Sequence, residues 1–200
     1  MIKGIVIFTL FMQLLNTSVS SETLQASTAA IAFSESDFQI QSESKGIHIK
    51  IGDSKDIVEQ MLGKPDDYYN HTNFYEYRDM DIHYKDNIVD AIMIDDPPTI
   101  NFNKYKTPRK VGIGSTYQSV LNQYGKKAFV DYEKGKVSNI TYMMRRDQHG
   151  QYNLIDSTDT IGTEDWNSIK GISMIFNQQG RVSFLMITNY EYAYYPEYNF

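Results

Sequence analysis

Apolar residues recur along this chain with two periods, and the change from one period to the other happens twice. Ile57, Val58, Met61 and Leu62 fall on one side of a helix, and Tyr117, Val120, Leu121 and Tyr124 do the same at i, i+3, i+4 and i+7. Each stripe predicts a short helix with one face to bury. Asp53 and Ser115 stand at the helix starts as N-cap oxygens, Ser115 with Gln118 as a capping box, and Gly63 and Gly125 stand where a left-handed residue closes a helix. After each helix the pattern changes to strands: Phe74 to Arg78, Asp81 to Lys85 and Val89 to Ile94, then Val137 to Met144, Ile169 to Phe176 and Val182 to Ile187. The short polar turns between several of them predict antiparallel meanders.

The two stretches align with no gap between the first and last match. Ile51-Gly52-Asp53-Ser54 leads through Val58 to Leu62-Gly63-Lys64, and 62 residues on, Ile113-Gly114-Ser115-Thr116 leads through Val120 to Tyr124-Gly125-Lys126. The likeness runs into the strands, where Val89 to Ile94 corresponds to Val182 to Ile187. The expected fold class is therefore α+β: two tandem repeats, each a short helical segment packed on an antiparallel β-meander. Unit one spans 46–96, a linker with Pro97-Pro98 spans 97–109, and unit two spans 110–200 with a long polar loop at 147–167 and a tyrosine-rich C-terminal segment.

Gly52-Asp53-Ser54, Val58 and Leu62-Gly63-Lys64-Pro65 together resemble the "G-x-[ST] … V … L-G-x-P" signature of two related families. These are the beta-lactamase inhibitor proteins and the small outer-membrane assembly lipoproteins of the SmpA/OmlA kind. The resemblance covers 46–96 well and 110–189 less well, since Lys127 stands where the first copy has Pro65. It implies a fold more than a function. In the inhibitor family the concave, aromatic-rich sheet face grips a protein partner, so a similar use is what the resemblance implies here. The chain departs from both families in having no cysteine, either for the inhibitors' disulfides or for lipidation.

The ends change the picture next. Met1-Ile2-Lys3, the apolar stretch Ile5 to Leu15 and the small residues Ser18-Val19-Ser20 read as a signal peptide, 1–20, cleaved after Ser20. That apolar stretch is too short to span a bilayer, so a secreted, extracellular protein without stable membrane insertion is expected. Residues 21–45 are rich in Ser, Thr, Ala, Gln and Glu and read as a flexible leader. Charge divides unevenly: 46–96 holds five Lys/Arg against twelve Asp/Glu, whereas 104–189 holds twelve against seven. Opposite-signed halves attract each other or face a charged partner, and the positive one suits an anionic wall polymer. With pI near 5.2 and no recognisable nucleic-acid module, no nucleic acid is expected as a partner.

Candidate chemistry is sparse. His48, His71, His83 and His149 lack metal-ligand spacing, Asp66-Asp67 and Asp95-Asp96 flank turns, and Ser54 and Ser115 are explained by capping. Val111-Gly112-Ile113-Gly114 is a lone G-x-G that the repeat explains as a strand-to-helix turn. Accordingly no catalytic residue, metal ligand or cofactor is assigned. The remaining signal is sixteen tyrosines, ten phenylalanines and one tryptophan. Alternation puts Tyr75 and Tyr77 on one strand face, and Tyr190, Tyr192 and Tyr194 on another; with Tyr142 and Trp166 these are the expected partner-binding residues. The second cover of these strands is either the other repeat or an external ligand.

The resulting expectation is a secreted, non-enzymatic interaction protein, inhibitor-like or envelope-associated, that binds a protein or a cell-envelope component. Two alternatives belong to other classes. One is a cell-wall carbohydrate binder stacking sugars on exposed tyrosines; the other is a small secreted hydrolase in which His149, Asp156, Asp159 and Glu164 converge.

Overall fold

The computed structural model describes residues 32–78, 80–95, 104–156, 159 and 167–189. Trp166, Tyr190, Tyr192, Tyr194 and Glu164 lie outside the described residues, as does the segment 1–31. Two helices form where the apolar stripes predict them, α1 at Lys55–Leu62 and α2 at Tyr117–Tyr124. Their caps sit one residue later than the sequence reading places them. Ser54 Oγ accepts from Ile57 N–H and Thr116 Oγ1 accepts from Ser119 N–H, each holding an otherwise orphan first-turn amide. Asp53 and Ser115 instead tie the preceding turns, accepting from Lys50 N–H and Gly112 N–H. Gly63 and Gly125 close the helices at φ +89° and +85°, where a side chain would strain the backbone.

The strands are β1 Gln39–Ser42, β2 Ile47–Lys50, β3 Asp67–Tyr69, β4 Phe74–Tyr77, β5 Met80–Lys85 and β6 Ile88–Asp95, followed beyond α2 by β7 Phe129–Glu133, β8 Lys136–Arg146, β9 Tyr152–Leu154, β10 Ile169–Phe176 and β11 Val182–Asn189. Every pairing is antiparallel. The main sheet runs β3-β4-β5-β6-β11-β10-β8-β7, with β9 on β8, so β6 meets β11 at the centre. Mostly antiparallel sheet with two helices makes the fold α+β.

Direct cross-strand partners share a face, so the register assigns every side chain to one side. One row reads Tyr68, Tyr75, Ile82, Ile92, Ile187, Ile172, Tyr142 across β3 to β8. This side carries the core. Val58 of α1 and Val120 and Tyr124 of α2 pack with these isoleucines in one continuous cluster, and the Tyr124 ring lies 5.2 Å from that of Tyr142. The two halves therefore share one core.

Two segments differ from the sequence reading. The expected leader 21–45 is folded from residue 32 onward. Ser34 to Asp37 makes a turn, and Phe38 and Ile40 are fully buried as β1 pairs with β2. A Ser- and Gln-rich composition hides these anchors, because alternate residues of a half-buried strand are polar. The end of the linker also packs: Lys106 bridges both Gln41 and Gly112, and Thr107 is buried. Gly112 is needed there, since a Cβ would come within 2.4 Å of the Tyr105 carbonyl oxygen. The long loop at 147–167 contributes β9, with Tyr152 buried against Phe38 at a ring separation of 4.7 Å.

Candidate binding face

The tyrosines expected to bind a partner, where described, stand on the helix side of the sheet. Tyr142 is fully buried and its hydroxyl donates to the Gly125 carbonyl at 2.7 Å. Burial pushes that hydroxyl above the usual phenol range. Tyr77 is buried too, sharing a 2.9 Å hydrogen bond with Tyr84. Tyr75 is half-buried between Tyr68 and Tyr84, with the Lys55 ammonium 3.7 Å from its ring centroid. A signal for this side is present in the alternation. Glu76 lies between Tyr75 and Tyr77, and Asp81 and His83 flank Ile82, so the polar positions of β4 and β5 fall on the opposite face.

That opposite face is crossed by a row of direct partners: Asp67, Glu76, Asp81, Met93, Met186, Ser173, Thr141 and Phe129. One step along the strands runs a second row, Asp95, Phe184, Ile175, Asn139 and Asp131. Met93, Met186 and Phe184 are half-exposed and Ile175 is 44 % exposed. Three zones result: carboxylates on β3 to β6, an apolar centre, and hydroxyls and amides on β8 and β10. In the last zone Thr141 and Ser173 share a 2.8 Å hydrogen bond, Ser173 donates to Asn139 Oδ1, and Asn139 Nδ2 donates to Asp131.

The acid zone has unusual electrostatics. The Tyr69 hydroxyl donates to Glu76 Oε2 at 2.6 Å, and the carboxylate beside it pushes the phenol up to about 12. Asp81 is pushed up from 3.8 to about 6, by burial first and then by the charges of Asp95 and Glu76. A carboxyl whose folded value lies above its unfolded value favours folding while protonated. That contribution is complete below about pH 4 and is lost as pH rises through about 6. Asp81→Asn, which removes the charge, is therefore expected to stabilise the fold by about 1 kcal/mol at neutral pH, a figure reduced for the solvent screening of a half-exposed group. Near pH 4 the gain should vanish. Urea unfolding at both pH values measures it, and an equal shift at the two would contradict this account.

A third row, Tyr69, Phe74, His83, Ala91, Thr188, Gly171 and Met143, is more enclosed, and Phe74, His83, Ala91 and Thr188 are buried. Asp90 is an extra residue in β6, because His83 faces Ala91 while Tyr84 faces Val89. The bulge brings Asp90 Oδ1 to His83 Nδ1 at 2.6 Å, both side chains buried. The hydroxyl of Thr188 donates to the Asp90 and Asn189 carbonyls and is not placed as a nucleophile. Of the residues of the hydrolase alternative that are described, Asp156 and Asp159 are joined, Asp159 accepting from Asp156 N–H while the Asp156 carboxylate pairs with Lys127 at 3.2 Å, whereas His149 N–H donates to Asp147. Among the described residues no group of three His, Cys, Asp or Glu is placed to hold a metal. Comparison of the chain with protein-family models, with curated proteins and with solved structures returned no match.

Proposed function

We propose that this protein is a non-catalytic binding scaffold, exported by its N-terminal segment, that engages a protein or cell-envelope component through the sheet face opposite its helices. The supporting observation is the apolar centre of that face. Met93, Met186, Phe184 and Ile175 sit side by side on β6, β11 and β10, exposed or half-exposed, while the isoleucines of the same strands fill the core. Contiguous exposed apolar side chains on a rigid sheet are the usual mark of an interaction surface, and methionine adapts its shape to a partner. The architecture fits a duplication. Each helix is followed by strands that fill one half of the sheet, the halves meet at β6 and β11, and Lys55 over the Tyr84 ring stands where Tyr117 stands against Phe176. This arrangement is what the likeness to the inhibitor proteins implies.

A photo-crosslinking amino acid placed at Ile175, and in a second variant at exposed Ile57 on α1, tests the reading against the extracellular and envelope proteins of the producing organism. A discrete adduct at position 175, absent at 57 and abolished by Met186→Asp, is expected. Adducts of equal yield at both positions, or none at 175, would sink it.

A further inference from the structure

We propose that the open face docks a basic protein segment, with lysine or arginine side chains over Asp67, Glu76, Asp81 and Asp95 and apolar side chains over Met93, Met186, Phe184 and Ile175. The inference rests on the binding reading above and adds the chemistry of the partner. Like charges placed directly opposite one another in a sheet destabilise it, and a sheet facing only water places opposite charges there instead. Here three consecutive cross-strand partners, Asp67, Glu76 and Asp81, are all acidic, and Asp95 adds a fourth carboxylate beside them. No lysine or arginine stands on either row.

The chain places its paired cations elsewhere. Ion pairs at Asp37, Glu35, Glu59, Glu133 and Asp156 all take a Lys or Arg, while none joins these four carboxylates among the described residues. Their oxygens accept only from neutral groups: Tyr68 N–H at Asp67 and the Tyr69 hydroxyl at Glu76. Asp81 is moreover held half-buried and close to Asp95 and Glu76, an arrangement whose charge a bound cation would relieve. Strands lie about 4.8 Å apart, so the acids and the methionines beside them form a track about 20 Å long. A segment crossing the strands meets negative charge first and apolar surface next. Charge complementarity of this kind sets partner choice and association rate.

Two short fluorescein-labelled peptides with the same apolar centre, Leu-Phe-Met-Leu, flanked on one side by three lysines or by three glutamates, test it with the full-length protein by fluorescence anisotropy. The lysine peptide is expected to bind about tenfold more tightly than the glutamate peptide at about 50 mM salt, and the advantage should shrink at about 300 mM. Asp81→Asn with Asp95→Asn should remove most of that advantage. Asp56→Asn with Asp86→Asn, the same charge change at exposed sites on α1 and in the turn between β5 and β6, should leave it intact. Equal affinity of the two peptides, no binding of the lysine peptide, or an equal loss in both double variants overturns the proposal. If both peptides bind equally and both are lost with Met186→Asp, the binding face stands and its basic partner falls. Binding indifferent to Met186→Asp fails both.

Discussion

Replacing Ile187 with alanine is expected to destabilise the protein by about 3–4 kcal/mol and to lower its melting temperature by about 10 °C. Ile187 is fully buried on β11, directly between Ile92 of β6 and Ile172 of β10. It therefore stands at the seam where the two halves of the sheet meet. Truncation removes three methyl or methylene groups from a site walled by backbone ladders on both sides, which collapse poorly around a void. The core cluster is continuous from Val58 under one half to Val120 and Tyr124 under the other, so the loss should be felt by the whole molecule. Scanning calorimetry should give one transition in the parent and one, at lower temperature, in the variant. Ile175→Ala on the open face, where the side chain is 44 % exposed, should shift stability by less than about 0.5 kcal/mol. Two separated transitions, or equal effects at the two isoleucines, would show that the halves do not share a core.

How far the sequence foretells this arrangement differs by element. Both helices and all six expected strands are present, because capping and periodicity are local signals that the tertiary packing reinforces. At the turn between β5 and β6, Asp86 and Asn87 both take positive φ, as a two-residue hairpin requires. The caps slip by one position because Asp53-Ser54 and Ser115-Thr116 each offer two adjacent oxygens, and either residue type caps well. The β1–β2 hairpin and its anchors Phe38 and Ile40 are masked by polar neighbours. Bulges are the least legible feature. By alternation Asp90 belongs with Ile92 on the core side; the extra residue turns its carboxylate to His83 instead. The open face is hard to read for a related reason. Counting aromatics favours Tyr75, Tyr77 and Tyr142, yet in strands of one-sided exposure the acids between such residues mark the open face. Phe184, Met186 and Met93 carry no signal separate from the core residues that alternate with them.

Arg109→Ala should destabilise the fold by about 3 kcal/mol, an effect carried by a residue that the sequence places at the end of a linker. Its Nε donates to Asp37 Oδ1 at 2.5 Å, Nη2 donates to the Ala32 carbonyl, and Nη1 donates to the Gln123 carbonyl at 3.1 Å. The guanidinium carbon also lies 4.4 Å from the Phe33 ring centroid and 5.4 Å from that of Tyr124. One side chain thus joins the N-terminal turn, the linker and the last turn of α2. Removing it leaves Asp37, which is buried, without its cation, and that uncompensated charge accounts for most of the expected loss. Arg109→Lys should restore only part, because an ammonium neither stacks on the two rings nor reaches three acceptors at once. Asp37→Ala combined with Arg109→Ala should be little worse than Arg109→Ala alone, since the second change removes the stranded charge. Urea unfolding of these variants together with Asp37→Ala alone supplies the cycle. Additive losses, or full rescue by lysine, would mean that the arginine acts through bulk and not through the clamp. Hydrogen exchange gives a second readout. With the clamp broken, the β1–β2 amides should lose protection before those of β6 and β11, because the hairpin then keeps Phe38, Ile40, the Glu35–Lys170 pair and the Gln41–Lys106 bridge but loses its tie to α2.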